Sequence, residues 1–114
     1  MEEKPRRVLD EVRRCRGRSQ AMTARQLARV TGIREREVRA IIADLRRQGH
    51  AIGSAVNPPY GYFMPVTLDE ARECQAHLYA RMREIGITAK AFERAYGQDQ
   101  QGRQMVLDLF DEAQ

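Results

Sequence analysis

Between residues 34 and 47 the sequence REREVRAIIADLRR sets Arg36, Arg39, Ala40, Ala43 and Arg47 on one side of a helix and Val38, Ile41, Ile42 and Leu45 on the other. A guanidinium group is a planar fork of donors that fits a phosphate or the O6/N7 edge of guanine in a bidentate way. Alanines at 40 and 43 let the helix backbone come close to what it faces, while the arginines around them reach sideways. The chemistry is recognition of a patterned polyanion, as by a helix lying in the major groove of duplex DNA. Bond-breaking chemistry has no comparable set of residues. His50 and His77 have no Cys or His at metal-ligand spacing, the pair Asp69-Glu70 sits at a helix start, and no glycine loop is arranged to cradle phosphate. His50 stands at a helix end, where it touches phosphate or caps the helix. No catalytic residue, metal or cofactor is expected.

The elements that must position these arginines lie between Thr23 and Gly49. Thr23 followed by Gln26 makes a capping box, so a helix starts there, with Leu27, Ala28 and Val30 as its apolar face. Gly32 supplies a residue able to take positive φ for a tight turn, and Ile33 plugs the angle between the two helices. The second, basic helix then runs to Gly49. Its start lacks a good capping side chain, because Arg34 stands at that place, but Glu35 and Glu37 interact favourably with the positive helix end. After Gly49 the period changes. Residues 50–56 are small and branched, Asn57-Pro58-Pro59-Tyr60-Gly61 is turn chemistry, and Tyr62-Phe63-Met64 is a second short strand, which together make a β-hairpin. Phe63 is expected to pack this hairpin onto the helices.

Taken in this order, the parts resemble the winged helix-turn-helix domains of the biotin-repressor type over residues 5–65. QLARVTGIREREVRAIIADLRRQGHAI stands where that family has its turn, recognition helix, closing glycine and first wing strand, and YGYFM where its second wing strand ends. The resemblance implies a mainly α fold with a small β-hairpin and binding to double-stranded DNA. On that reading Arg36 and Arg39 face base edges beside Ala40, Arg47, Arg25 and the arginines after the first helix neutralise phosphates, and Arg34 is a further DNA contact. Asn57 and Tyr60, at the tip of the hairpin, are the wing's candidates. The wing has no Arg or Lys, so its share of the affinity is expected to be the smaller one.

The flanking sequence agrees with a nucleic-acid partner. Residues 1–50 hold 14 Arg or Lys against 7 Asp or Glu, a net +7, whereas residues 51–114 hold 6 against 9, a net −3. A basic half joined to an acidic half suggests that the first faces a polyanion and the second solvent or protein. Arginine supplies 18 of the 20 basic residues, a bias that a GC-rich genome also produces. Residues 5–15 read as a first helix with Val8, Leu9, Val12 and Cys15 in one stripe, followed by Arg13, Arg14, Arg16 and Arg18 as a basic edge. That edge either contacts phosphate or is a solvated helix end. The start of the chain does not have the pattern of a signal peptide and no stretch reaches membrane-spanning length, so a cytoplasmic protein with no membrane partner is expected. In that compartment Cys15 and Cys74 are packed thiols rather than a disulfide.

Beyond the hairpin, Thr67 and Glu70 form another capping box and open a helix to about Glu84, with Ala71, Cys74 or Gln75, Leu78, Met82 and Ile85 on one face and Tyr79 beside it. Gly86 is expected to stop it and Thr88 to cap a shorter helix carrying Phe92, Ala95 and Tyr96, the two forming a hairpin. The apolar face either packs back on the first domain or pairs with a second chain as a homodimer. Residues 97–103 are Gly- and Gln-rich and read as a linker. The tail after it resembles the short motif with which bacterial replication and repair proteins bind the sliding clamp of the DNA polymerase. In the longer form of that motif Gln104, Met105, Leu107 and Leu109 match, with Phe110 adding to the apolar set; the alternative is a last amphipathic turn docked on protein. The expected organisation is a winged domain over 1–66, a helical extension over 67–96 and a tail over 97–114. Small proteins with these parts resemble bacteriophage or prophage replication adaptors; a dimeric transcriptional regulator without a clamp interaction is the alternative.

Overall fold

Residues 1–96 are described by a computed structural model. The chain divides into two units, Met1–Gln75 and Ala76–Gln114. In the first unit α1 (Glu3–Arg14), a 3-10 turn (Arg18–Gln20), α2 (Ala24–Thr31), α3 (Glu35–Arg47), β1 (Gly53–Ala55) and β2 (Gly61–Phe63) follow in order, and α4 (Leu68–Tyr96) begins. The class is the expected one, mainly α with one small antiparallel hairpin.

Each helix boundary in this unit has a local cause. Thr23 accepts from the Gln26 amide at 3.1 Å while the Gln26 side chain accepts from the Thr23 amide at 2.8 Å, so the capping box at α2 is complete. Gly32 ends α2 in the left-handed conformation, φ 74°, and its amide donates to the Ala28 carbonyl. At the end of α3 the Gly49 amide donates to the Arg46 carbonyl and the His50 amide to the Leu45 carbonyl, both at 3.0 Å. With Gly49 at φ 101°, that is the Schellman arrangement, and it turns the chain out of the helix toward the wing.

Three apolar faces meet between these helices. Val8, Leu9 and Val12 from α1, Ala24 and Leu27 from α2, and Val38, Ile41, Ile42 and Leu45 from α3 are buried with Ile33 and Ile52. Val30 is a correction. It is 55 % exposed, because the buried face of α2 is set by Ala24, Leu27, Ala28 and Thr31, and Val30 lies roughly 100° round the helix from the middle of that face. Thr31 takes the buried place instead. Its hydroxyl donates to the Leu27 carbonyl at 2.7 Å and accepts from the Ile33 amide at 3.3 Å, so no polar group is stranded.

β1 and β2 pair antiparallel with Gly53 opposite Phe63, Ser54 opposite Tyr62 and Ala55 opposite Gly61. The other edge of β2 is also covered. Tyr62 and Met22 exchange backbone bonds of 2.7 and 3.0 Å, and Met64 donates to Cys15 at 2.8 Å and accepts from Gly17 at 2.9 Å. Phe63 is 2 % exposed, as expected of the residue that seats the hairpin. Cys15 and Cys74 are both free, and burial pushes each thiol up from its ordinary value.

The start of α4 is only half the expected capping box. The Glu70 amide donates to Thr67 Oγ1 at 3.1 Å, but the Glu70 carboxylate accepts from the Val66 amide at 2.9 Å and the Arg18 amide at 3.0 Å. These backbone donors, Arg18 first, hold Glu70 below the ordinary carboxylate value. The lowered value means the stabilisation is present above the unfolded-state pKa and is lost as pH falls through the folded-state one. Glu70→Gln is therefore expected to lower the thermal midpoint at pH 7, with the gap to the native chain closing on acidification. A gap that widened in acid would contradict this account.

A second correction concerns Gly86 and Thr88. α4 is continuous from Leu68 to Tyr96, so Gly86 does not stop a helix, Thr88 does not cap one, and the expected helical hairpin is absent. A glycine within a helix costs only about 1 kcal/mol relative to alanine. Stopping a helix takes a left-handed residue with carbonyl partners, and Gly86 is not among the positive-φ glycines. The good helix formers on both sides, Arg81 to Glu84 and Ala89 to Ala91, carry the helix through.

Candidate nucleic-acid interface

α3 presents two faces of opposite character. Val38, Ile42 and Leu45 are no more than 1 % exposed, and Ile41 is buried beside them. Arg34, Arg36, Arg39, Ala40 and Arg47 are all exposed, with Ala43 half-buried among them. The spacing of Arg36, Ala40, Ala43 and Arg47 draws one line along the helix, and Arg39 stands next to it. The side chains singled out in α3 therefore share one solvent-facing surface.

Arg39 donates to Glu35 at 2.6 Å and Arg47 to Asp44 at 3.1 Å, both pairs within α3 and well exposed. Such surface pairs stabilise by only about 0.3–0.5 kcal/mol, so a phosphate or a guanine edge competes with them easily. Lys4 reaches Glu37 at 3.0 Å from α1, and Arg7 donates to the Thr31 carbonyl at the end of α2 at 2.9 Å. These two contacts tie α1 to the ends of the turn that orients α3.

Arg46 has a role that was not anticipated. It is half-buried, donates to the Ile52 carbonyl at 2.8 Å and to Ser54 Oγ at 2.7 Å, and lies 5.5 Å from the centre of the Tyr62 ring. One guanidinium thus bonds to the chain entering β1, to β1 itself and to the aromatic face of β2. It fixes the hairpin against α3. The readable signal was an arginine just before the closing glycine with an aromatic strand residue to follow, but only the fold brings them together.

The remaining candidates divide. Arg25 is exposed near the start of α2, and Asn57 and Tyr60 are exposed in the loop between the strands, Tyr60 at 57 %. Of the basic edge after α1, Arg13 and Arg16 are exposed. Arg14 pairs with Glu11 at 3.2 Å, and Arg18 donates to Glu73 of α4 at 2.8 Å, which makes Arg18 part of the packing around the start of α4. His50 is half-buried, and it is its backbone amide that closes the end of α3. Gln104, Met105, Leu107, Leu109 and Phe110 lie outside the described residues. Among the described residues no three His, Cys, Asp or Glu side chains are grouped to hold a metal ion, and no helix is long and apolar enough to cross a membrane. No protein-family model matches this chain, and neither a curated protein nor a solved structure does.

Proposed function

We propose that this protein binds double-stranded DNA as a winged helix-turn-helix, with α3 in the major groove. The observation that carries the reading is the exposed surface of Arg36, Arg39, Ala40 and Arg47 on a helix whose other face is fully committed to the core. In this reading Arg36 and Arg39 make bidentate contacts to guanine edges, and Ala40 and Ala43 allow the close approach. Arg25, Arg34 and Arg47, together with the exposed Arg13 and Arg16 of the basic edge, neutralise phosphates and set the register without reading sequence. Asn57 and Tyr60 add contacts from the wing. Titrating a duplex at several salt concentrations tests the reading. With four or five phosphates neutralised, log K is expected to fall by roughly 4 units per unit of log salt. Absent or salt-insensitive binding would leave a protein–protein module that uses the same fold.

The tail supplies a second attachment in the same proposal. Gln104 makes polar contacts at the rim of a pocket on the bacterial sliding clamp while Met105, Leu107, Leu109 and Phe110 fill it, so the chain is a replication-associated adaptor of the bacteriophage or prophage kind. Support for this part comes from the sequence of the tail alone. The intact chain is expected to bind purified clamp with a Kd on the order of micromolar, and a version ending at Arg103 is expected not to bind. Equal behaviour of the two forms would leave a dimeric transcriptional regulator as the better reading.

A further inference from the structure

From Leu78 onward α4 sets Met82, Ile85, Ala89, Phe92 and Tyr96 at steps of 4, 3, 4, 3 and 4 residues. Steps that alternate between 4 and 3 are those of the two seam places of a heptad, a narrow line of apolar residues that can face one partner helix. Among the described residues nothing covers this seam. Leu78, Met82, Ile85, Phe92 and Tyr96 are between 49 and 66 % exposed, and Tyr79 beside them is 51 % exposed. We infer that this face of α4 pairs with the same face of a second copy of the chain, the two helices running antiparallel with Met82 opposite Ile85 of the second copy. The inference is independent of what α3 binds.

Complementarity within the seam selects a second copy and this direction. With Met82 opposite Ile85, Leu78 falls opposite Ala89, a large side chain against a small one, as interdigitating layers require. The same register brings Tyr79 beside Gly86 of the second copy, both on the same flank of the seam and two residues off direct opposition. In one chain a side chain added at Gly86 would meet nothing within 4 Å, and the glycine is neither left-handed nor at a helix end, so the monomer offers no reason for it. Beside Tyr79 of the second copy it leaves room for the ring. Further along α4 the register brings Arg72 to Glu93 of the second copy, twice in a symmetric dimer, whereas a parallel pair would leave both charges without an opposite partner across the seam. A parallel arrangement in register also stacks Ala89 on Ala89, which leaves a void between larger layers.

Sedimentation of the intact chain over the micromolar range tests the proposal. A concentration-dependent dimer is expected. Met82→Glu, at an exposed position, should abolish it, and Gly86→Leu should raise its dissociation constant about tenfold or more even though leucine is the better helix former. Direction is read from spin labels at Arg83 and at Arg94 in a chain with Cys15 and Cys74 replaced by Ala. In the antiparallel dimer the labels at 83 lie close together and those at 94 about 30 Å apart, from a rise of ~1.5 Å per residue. A monomer at all concentrations, a dimer unaffected by both substitutions, or short distances at both label positions would overturn the proposal. So would an intact chain that stays monomeric while a version ending at Arg103 dimerises, which would assign the seam to the chain's own tail.

Discussion

Replacing Arg36 and Arg39 together by alanine is expected to weaken binding to the preferred duplex between roughly thirty-fold and twenty-thousand-fold, at about 1–3 kcal/mol for each bidentate base contact. Both side chains are exposed, and Arg39 gives up only its surface pair with Glu35. Stability should thus stay within about 0.5 kcal/mol of the native chain. The separation matters, because a fall in affinity without a fall in stability assigns the loss to the surface of α3. Arg47→Ala is a different case. As a phosphate contact it should weaken all duplexes about equally and reduce the salt dependence, leaving the preference among sequences as it was.

The largest effect on folding is expected at Gly61. Its φ is 131°, and a Cβ there would lie 2.2 Å from the Met22 carbonyl carbon, 2.3 Å from its oxygen and 2.5 Å from the Thr23 nitrogen. All three are backbone atoms, so no rotamer change relieves the clash. They also belong to the segment that pairs with Tyr62 and leads into the cap of α2. Gly61→Ala should destabilise by roughly 2–6 kcal/mol, overpacking and left-handed strain each contributing about 1–3. That is a large part of the ~5–15 kcal/mol that holds a domain together. Gly53→Ala should be milder. There the nearest atoms are the Cys74 Sγ at 2.6 Å and the Phe63 Cζ at 2.9 Å, both on side chains, and the backbone φ is not in the left-handed region. Denaturant midpoints of the two variants give the comparison; equal losses would contradict the account of Gly61.

These cases show which parts of the fold a sequence carries in itself. The cap of α2 is written in Thr23 and Gln26, three residues apart, and the two faces of α3 in a spacing of a dozen residues, so local chemistry was enough to read them. The end of α3 was legible in the same way from Gly49. Gly86 misled because glycine marks a helix stop only when a left-handed turn follows, and that depends on which carbonyls can be satisfied afterwards. The unbroken repeat through it became visible once α4 was seen whole. Val30 misled because apolar character near a helix end suggests burial, whereas the helical angle that points into the core there belongs to Thr31. Other features depend on partners far along the chain. Arg46 meets Tyr62, Arg18 meets Glu73, and Gly61 meets Met22, 39 residues before it, so no local pattern announces any of them.

The arginine surface of α3 is the centre of this account, and selection of duplexes from a randomised pool by the intact protein tests it most directly. The native chain is expected to enrich one short motif containing guanine, with methylation at guanine N7 in the major groove blocking binding, and the Arg36→Ala, Arg39→Ala double variant is expected to enrich none. Enrichment of the same motif by both proteins, or of no motif by the native chain, would contradict the assignment of α3 as the reading helix.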